Sequence, residues 1–426
     1  MIKILVAHHV EPTVTTAATQ FFENLIPVLE KYEQVHMTWL IYSEKKIIKS
    51  ENNKNSSLID IHDFNNAMDV VNYVKPDVIF SSFSTNPINY ALSLCAKKKN
   101  ILLIGEYQFD AKIIGNSKKL LFELSKKLLS GELSYEQQNS QKKFLKNFRF
   151  IFFKMQFLLK THFTITNNFF RIFWDLSIFF YSFYLYTKNP NRDVKIGSDI
   201  YLVSGKNILK QALESGYPRD KLFLCGNVRF DKIFKNSDFI NDQPINKKIR
   251  VLLITQPFFE HGWWSRNQRD NFIKKIVGTI YANNSLELII KIHPSSENYN
   301  DYKEIIDKID PSIKIHQKEN LTHLIKNSDI GISFLVSDST FSYLFSKKPL
   351  IFFNAGQYKN DFLVESNLIT ECTSVDNLNE QIIDCFNNSK TNPKNLESFI
   401  EDYFYKSDGF SAERVSQKIL QILKKI

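Results

Sequence analysis

Residues 249–294 read IRVLLITQPFFEHGWWSRNQRDNFIKKIVGTIYANNSLELIIKIHP, and this stretch decides the fold. Ile249–Thr255 and Leu286–Ile292 are apolar runs of strand length, and Asn267–Ala282 between them is a helical segment. Continuous apolar strands separated by a helix make a β-α-β unit, whose strands are buried on both faces of a parallel sheet. The pattern continues with strands expected at Ile313–His316, Asp329–Ser333 and Leu350–Asn354, and helices at Tyr299–Ile309, Leu321–Lys326 and Ser339–Ser346. Helical stretches at Asn377–Phe386, Leu396–Tyr405 and Ala412–Lys425 close the chain.

The first half shows the same alternation. Strands are expected at Ile2–Ala7, His36–Tyr42, Asp77–Ser81 and Ile101–Gly105, and helices at Thr16–Tyr32, Phe64–Val74 and Asn86–Lys98. Pro27 is expected to bend the first helix or end it early. A chain of 426 residues suits two domains of roughly 200 residues each. The expected class is therefore α/β, with two Rossmann-like doubly wound domains facing across a cleft and a helical aromatic and basic insert in the first. The boundaries are 1–235 for the first domain, with the insert at 142–188, and 249–405 for the second. Residues 406–426 are read as a terminal helix packing back on the first domain. Ligands of open α/β sheets sit outside the carboxyl ends of the strands, so the site is expected there.

Composition removes several classes. With 43% hydrophobic and 23% charged residues the chain is neither disordered nor a coiled coil. Its 12 glycines include neither a dinucleotide fingerprint nor a P-loop. Cys95, Cys225, Cys372 and Cys385 show no C-x-x-C spacing, which fits a reducing compartment and no zinc ribbon or disulfide framework. MIKILVAHHVEP has no long apolar region or cleavage site, so the expected location is cytoplasmic, at most peripheral on the inner face of the membrane.

The net charge of +10 is mostly local. Between Lys142 and Lys188, eight basic side chains stand against Asp175 alone, and 13 of the 37 phenylalanines lie there. At helical spacing Phe144, Phe148, Ile151, Met155 and Leu158 form an apolar stripe, with Lys142, Lys146, Arg149, Gln156 and Lys160 opposite. Two readings stay open: an insert packed on the first domain, and an in-plane contact with an anionic membrane surface anchored by Phe148, Ile151, Met155, Trp174 and Phe180. Nucleic acid is disfavoured, because single-strand readers do not need an amphipathic helix.

Two loops carry the chemistry. His293-Pro294 follows a strand directly, so the imidazole projects from the carboxyl edge of the second sheet as a donor to a phosphate or carboxylate oxygen. Ser337-Asp338-Ser339-Thr340 opens a helix after the strand Asp329–Ser333, where hydroxyls and backbone N–H groups converge on a positive helix end. Taken singly, the first is more often a structural histidine and the second as readily an ordinary N-cap. In the loop after Ile249–Thr255, Gln256, Glu260 and His261 are available. Gln256 is assigned to the site, and Trp263 and Trp264 are read as a core cover.

The ordered set LLITQP (Leu252–Pro257), KIHP (Lys291–Pro294), SDST (Ser337–Thr340) and KKPLIFF (Lys347–Phe353), preceded by GYPRDKLFLCGNVRFD (Gly216–Asp231), resembles glycosyltransferases of the GT-B fold. Within them it is most similar to the branch with an H-P motif and a later Ser/Thr pair. That branch holds bacterial sialyl- and polysialyltransferases, capsule-type transferases using CMP-activated sugars, and CDP-glycerol glycerophosphotransferases. The resemblance implies a first domain that binds acceptor and a second that binds a nucleotide-activated donor, CMP- or CDP-type favoured. It also implies an inverting transfer of a sugar to a glycan or lipid-linked acceptor in surface polysaccharide synthesis. His293, Ser339 and Thr340 would hold the donor phosphate, with Gln256 and Ser337 beside them.

Other readings remain: a CDP-glycerol-type glycerophosphotransferase, a UDP-sugar epimerase or transferase, and a non-catalytic membrane-docked binding protein. UDP is disfavoured because Phe341-Ser342-Tyr343-Leu344 stands where UDP-sugar members place a ribose-binding glutamate. The acidic pair before glycine that serves sialyltransferases as base is missing, so the base is sought among His8, His9 and Glu11, with Glu106 and Asp110 as further candidates. No cofactor beyond the donor is expected. No metal is expected either, since neither phosphate loop offers the paired carboxylates that Mg²⁺ favours.

Overall fold

A computed structural model describes residues 1–8, 16–43, 55–81, 86–106, 138–188, 198–235, 248–260, 264–294, 296–334, 337–354, 366–388 and 393–424, with Pro12, Lys46, Gly262 and residues 363–364. Within 138–188 the described side chains are 150 and 152–181. The described residues form two compact units. The first runs to Asp231 and resumes at Glu401; the second spans Lys232–Ile400.

The first unit is built on a parallel sheet of β1 (Ile2–His8), β2 (Val35–Ile41), β3 (Ser56–Asp60), β4 (Val78–Ser81), β5 (Leu102–Glu106), β6 (Ile200–Val203) and β7 (Leu222–Leu224), in the order β3-β2-β1-β4-β5-β6-β7. Side chains alternate between its faces. Ile4 and Val6 join the cluster that includes Phe22 and Leu25 of α1 (Ala17–Leu29), whereas Leu5 and Ala7 join that of α2 (Ala67–Val74) and α3 (Pro87–Lys99). Pro27 lies in the last turn of α1, which stops at Leu29 short of the expected Tyr32. The ring removes the N–H that would bond the Glu23 carbonyl.

The insert is two helices, α4 (Gln138–Ile165) and α5 (Phe169–Lys188). Phe157, Leu158 and Phe179 are buried against the layer of α2 and α3, with Met155 packed beside them. Thr161 accepts from the Ala67 N–H at 3.0 Å, satisfying a first-turn donor of α2. The expected membrane stripe is corrected here: Met155 and Leu158 face the core of the unit. An insert this rich in phenylalanine is apolar on more than one face, and the unit covers only one. Phe152, Phe163, Phe169, Phe170, Phe173 and Trp174 are exposed on the other. The side chains of Phe144, Phe148, Ile151, Lys142, Lys146 and Arg149 lie outside the described residues.

After α6 (Lys206–Glu214) and α7 (Asp231–Lys235), the second unit holds six parallel strands. They are β8 (Ile249–Ile254), β9 (Leu286–Lys291), β10 (Lys314–His316), β11 (Ile330–Ser333), β12 (Leu350–Phe353) and β13 (Thr370–Cys372), in the order β10-β9-β8-β11-β12-β13. The helices are α8 (Arg266–Tyr281), α9 (Tyr299–Ile306), α10 (Leu321–Lys326), α11 (Asp338–Phe345), α12 (Leu378–Asn388) and α13 (Pro393–Phe404), the last crossing into the first unit at Glu401. Gly331 in β11 admits the Tyr343 ring of α11 over the strand; a Cβ there would lie 2.6 Å from it. Lys348, from the KKPLIFF motif, is buried and donates to the carbonyls of Ile325, Lys326 and Ser328 at the end of α10. Burial lowers its ammonium pKa to about 8.

The terminal helix α14 (Ser411–Leu423) packs on α1 in the first unit through Ala412, Val415, Ile419 and Leu420. Asp231, the last residue of the GYPRDKLFLCGNVRFD motif, accepts from Ser411 N–H at 3.1 Å and Ala412 N–H at 2.7 Å. Gly226 of the same motif has φ +89°, and a Cβ on it would lie 2.5 Å from Ser411 Oγ. This motif is therefore the seat of α14.

Candidate functional site

The sheet order puts β8 between β9 and β11, so the two loops singled out in the sequence leave the same sheet edge on either side of β8. The two residues that follow β8 reach both. The Thr255 hydroxyl donates to Glu297 in the H-P loop. The Gln256 amide donates to Ser337 Oγ in the S-D-S-T loop at 3.4 Å, the outer limit of such a bond.

In the H-P loop, the His293 N–H donates to Glu297 Oε2 at 2.5 Å, and the Tyr302 hydroxyl from α9 donates to Glu297 Oε1. Glu297 is 3% exposed, and burial pushes its carboxyl pKa up while these three donors pull against it. The Ser296 N–H donates to His293 Nδ1 at 3.1 Å, which fixes that nitrogen as an acceptor and puts the ring proton on Nε2. Lys291 is buried beneath the loop and donates to the carbonyls of Ile292 at 2.8 Å and Gln317 at 2.7 Å; burial lowers its pKa to about 8. Gln317 in turn donates to the Glu297 carbonyl at 2.7 Å.

In the S-D-S-T loop, Ser337 is the N-cap of α11. Ser337 Oγ lies 2.7 Å from Ser339 Oγ, and the Ser337 N–H donates to Thr340 Oγ1 at 3.2 Å. Thr340 is fully buried, with Ser333 Oγ 3.4 Å away, so its hydroxyl shapes the loop from beneath. Ser337 and Ser339 stand at the opening of α11, where the Ser337 side chain caps the Thr340 N–H and the helix dipole favours an anion. Phe341, Ser342, Tyr343 and Leu344 are all buried, and that turn of α11 presents no carboxylate.

Of the remaining sequence candidates, His8 ends β1 in the first unit. It is 8% exposed, with Nε2 3.4 Å from Thr16 Oγ1 and its ring edge-on to Trp39 at 5.8 Å. His9, Glu11, Asp110, His261 and Trp263 lie outside the described residues, as does the Glu106 side chain. Glu260 is 3.3 Å from Arg269, a 2% exposed guanidinium that also binds Asp270 and Asp301, and so anchors the loop after β8. Trp264 packs between Phe258 and Phe272. Sequence reasoning missed Glu297, Thr255 and Tyr302, because HPSSEN reads as an ordinary polar loop.

No curated protein matches the chain in sequence. Among solved structures, the UDP-GlcNAc 2-epimerase from Neisseria meningitidis bound to UDP-GlcNAc has a TM-score of 0.52 at 12% identity, covering 99% of this chain and 100% of that one. The UDP-GlcNAc 2-epimerase from Methanocaldococcus jannaschii has a TM-score of 0.51 at 16% identity, covering 100% of both chains. At such identities the likeness establishes the fold, GT-B. The family model described as CDP-Glycerol:Poly(glycerophosphate) glycerophosphotransferase matches residues 184–421, more than half the chain and the whole of both loops. The chain therefore belongs to this glycerophosphotransferase family and is a transferase of the GT-B fold.

Proposed function

We propose that the protein transfers a group from a cytidine-nucleotide donor to a hydroxyl of a glycan or lipid-linked acceptor during surface-polymer synthesis. The carrying observation is the pair of loops tied to the end of β8, which brings a His293 Nε2–H donor, Ser337, Ser339 and the α11 N-terminus to one sheet edge. These groups suit the phosphate of the departing nucleotide. A hydroxyl attacking the second phosphorus of a CDP-linked donor, or the anomeric carbon of a CMP-sugar, releases CMP in either case. The family supports glycerol phosphate as the transferred group. A sugar from a CMP donor is the second reading, favoured by the H-P and Ser/Thr pattern. A UDP donor is opposed by the buried Phe341–Leu344 turn. The proton acceptor is sought in the segment His8, His9 and Glu11.

Thermal unfolding with CMP, CDP and UDP tests the reading. A ligand present at 100 times its Kd stabilises the folded state by about 2.7 kcal/mol. CMP and CDP should stabilise and UDP should not. No stabilisation by either cytidine nucleotide would overturn the proposal.

The same reading places the reaction at the inner membrane surface, where a lipid-linked acceptor is presented. Its support is the exposed aromatic face of α4 and α5, with Phe170 85% and Trp174 67% exposed beside exposed Lys160 and Arg171. No helix among the described residues is long and apolar enough to cross a membrane. The aromatics would insert at the headgroup level and the cations would meet anionic lipid.

A further inference from the structure

We infer that Glu297 is the positioning residue of the H-P loop, holding the His293 imidazole as an Nε2–H donor toward its ligand. The inference deepens the phosphate-site reading and rests on it only for the identity of that ligand. Glu297 is too buried to meet a substrate, at 3% exposed, and a carboxylate in such a place is costly unless its oxygens are satisfied. They are satisfied by donors from three separate elements: Thr255 after β8, His293 after β9 and Tyr302 on α9. An apolar side chain would fill the space equally well, but it would leave the His293 N–H without its acceptor.

Closing the loop through that N–H has a chemical result. The His293 N–H bonded to Glu297 ties the start of the loop to its end, and the Ser296 N–H lies 3.1 Å from His293 Nδ1. A backbone N–H can only donate, so the neutral ring carries its proton on Nε2. Gln317 secures the turn from the β10 side by donating to the Glu297 carbonyl at 2.7 Å. Thr255 ties it to the strand whose next residue, Gln256, touches Ser337. One carboxylate thus sets both the tautomer of His293 and the register of its loop against the neighbouring one.

The amide and apolar replacements separate positioning from bulk. In Glu297→Gln the amide oxygen can still accept from His293 and Thr255, and the amide nitrogen can donate to the Tyr302 hydroxyl, which is free to rotate. Glu297→Leu keeps the volume and removes every acceptor. The tautomer is read by long-range ¹⁵N–¹H NMR at pH 8, the His293 ring being assigned by its loss in His293→Ala. Wild type and Glu297→Gln should show an unprotonated Nδ1 and a protonated Nε2. Glu297→Leu should show mixed tautomers, and its CDP affinity should fall roughly tenfold to a hundredfold.

A pure Nε2–H ring in Glu297→Leu overturns the inference. Should that variant fail to fold, Ser296→Pro removes the N–H that faces His293 Nδ1 without touching position 297; a pure Nε2–H ring there overturns the inference equally. A tautomer that responds as stated in a protein that binds no cytidine nucleotide upholds the positioning role and refutes the phosphate-site reading instead.

Discussion

Changing Asp231 to alanine tests whether the Gly216–Asp231 motif serves the fold or the reaction. Its carboxylate takes the N–H groups of Ser411 and Ala412, the first two residues of α14, and both residues are 1% exposed. The Phe410 side chain supplies no cap, and water has no access to replace the lost acceptor. Loss of a helix N-cap costs about 0.5–2 kcal/mol, and a buried orphaned donor about 1–3 kcal/mol. For two buried donors the sum is about 2–6 kcal/mol, or a fall in melting temperature of roughly 4–24 °C for a unit of this size. Asp231→Asn, with a single acceptor oxygen, should lose about half as much. Calorimetry of the three proteins, with CDP titrations alongside, gives both readouts. A variant that melts like wild type, or that keeps its stability and loses nucleotide binding, would refute the assignment of Asp231 to the seat of α14.

Lys291, buried and lowered to about 8, carries a pH signature. Between pH 8 and about 10.5 the unfolded chain holds a proton on this group that the folded protein lacks, so the wild type should gain stability over Lys291→Met as pH rises, by up to about 3 kcal/mol. Paired chemical denaturation at pH 7.5 and pH 10 checks the sign, and a gap that stays constant contradicts it. Flotation with anionic and neutral vesicles checks the membrane surface: Phe170→Ser with Trp174→Ser should abolish binding, and Lys160→Glu with Arg171→Glu should weaken it, whereas equal flotation of all forms would return α4 and α5 to a purely internal role. His8→Gln should lose transfer yet bind CDP as wild type does, and full activity would remove it from the candidates for the base. Transfer in EDTA should match transfer without it; loss restored by Mg²⁺ would show that a metal is required.

The strands nearest the site were legible because they are buried on both faces and read as unbroken apolar runs, such as Val251–Ile254 and Leu288–Ile290. The strands that were missed are short or polar. β3 reads SSLID inside a lysine- and asparagine-rich stretch, β6 has only the four residues IYLV, and β7 and β13 are three-residue strands at the sheet edges, too short to show a pattern. The two loops were visible as motifs, because a histidine at a strand end and hydroxyls at a helix start are local patterns. Glu297, Lys291 and Lys348 were not, because a charged side chain looks exposed until its distant partners are known: Tyr302 and Thr255 for the first, backbone carbonyls for the lysines. The apolar stripe of α4 was also half read, since periodicity locates a face but does not say which of two apolar faces the domain covers.

The most direct test of the central claim is calorimetric titration of CDP into wild type, His293→Ala and Ser337→Ala with Ser339→Ala, with the melting temperature of each apo protein recorded. If these loops hold the nucleotide phosphate, His293→Ala should weaken CDP by a factor of roughly ten to a hundred, the loss of one charge-assisted hydrogen bond. The serine pair should weaken it as well; the apo melting temperature of His293→Ala should stay near wild type, and that of the serine pair should fall only by the loss of the α11 N-cap, about 0.5–2 kcal/mol. CDP affinity unchanged in both variants would contradict the account.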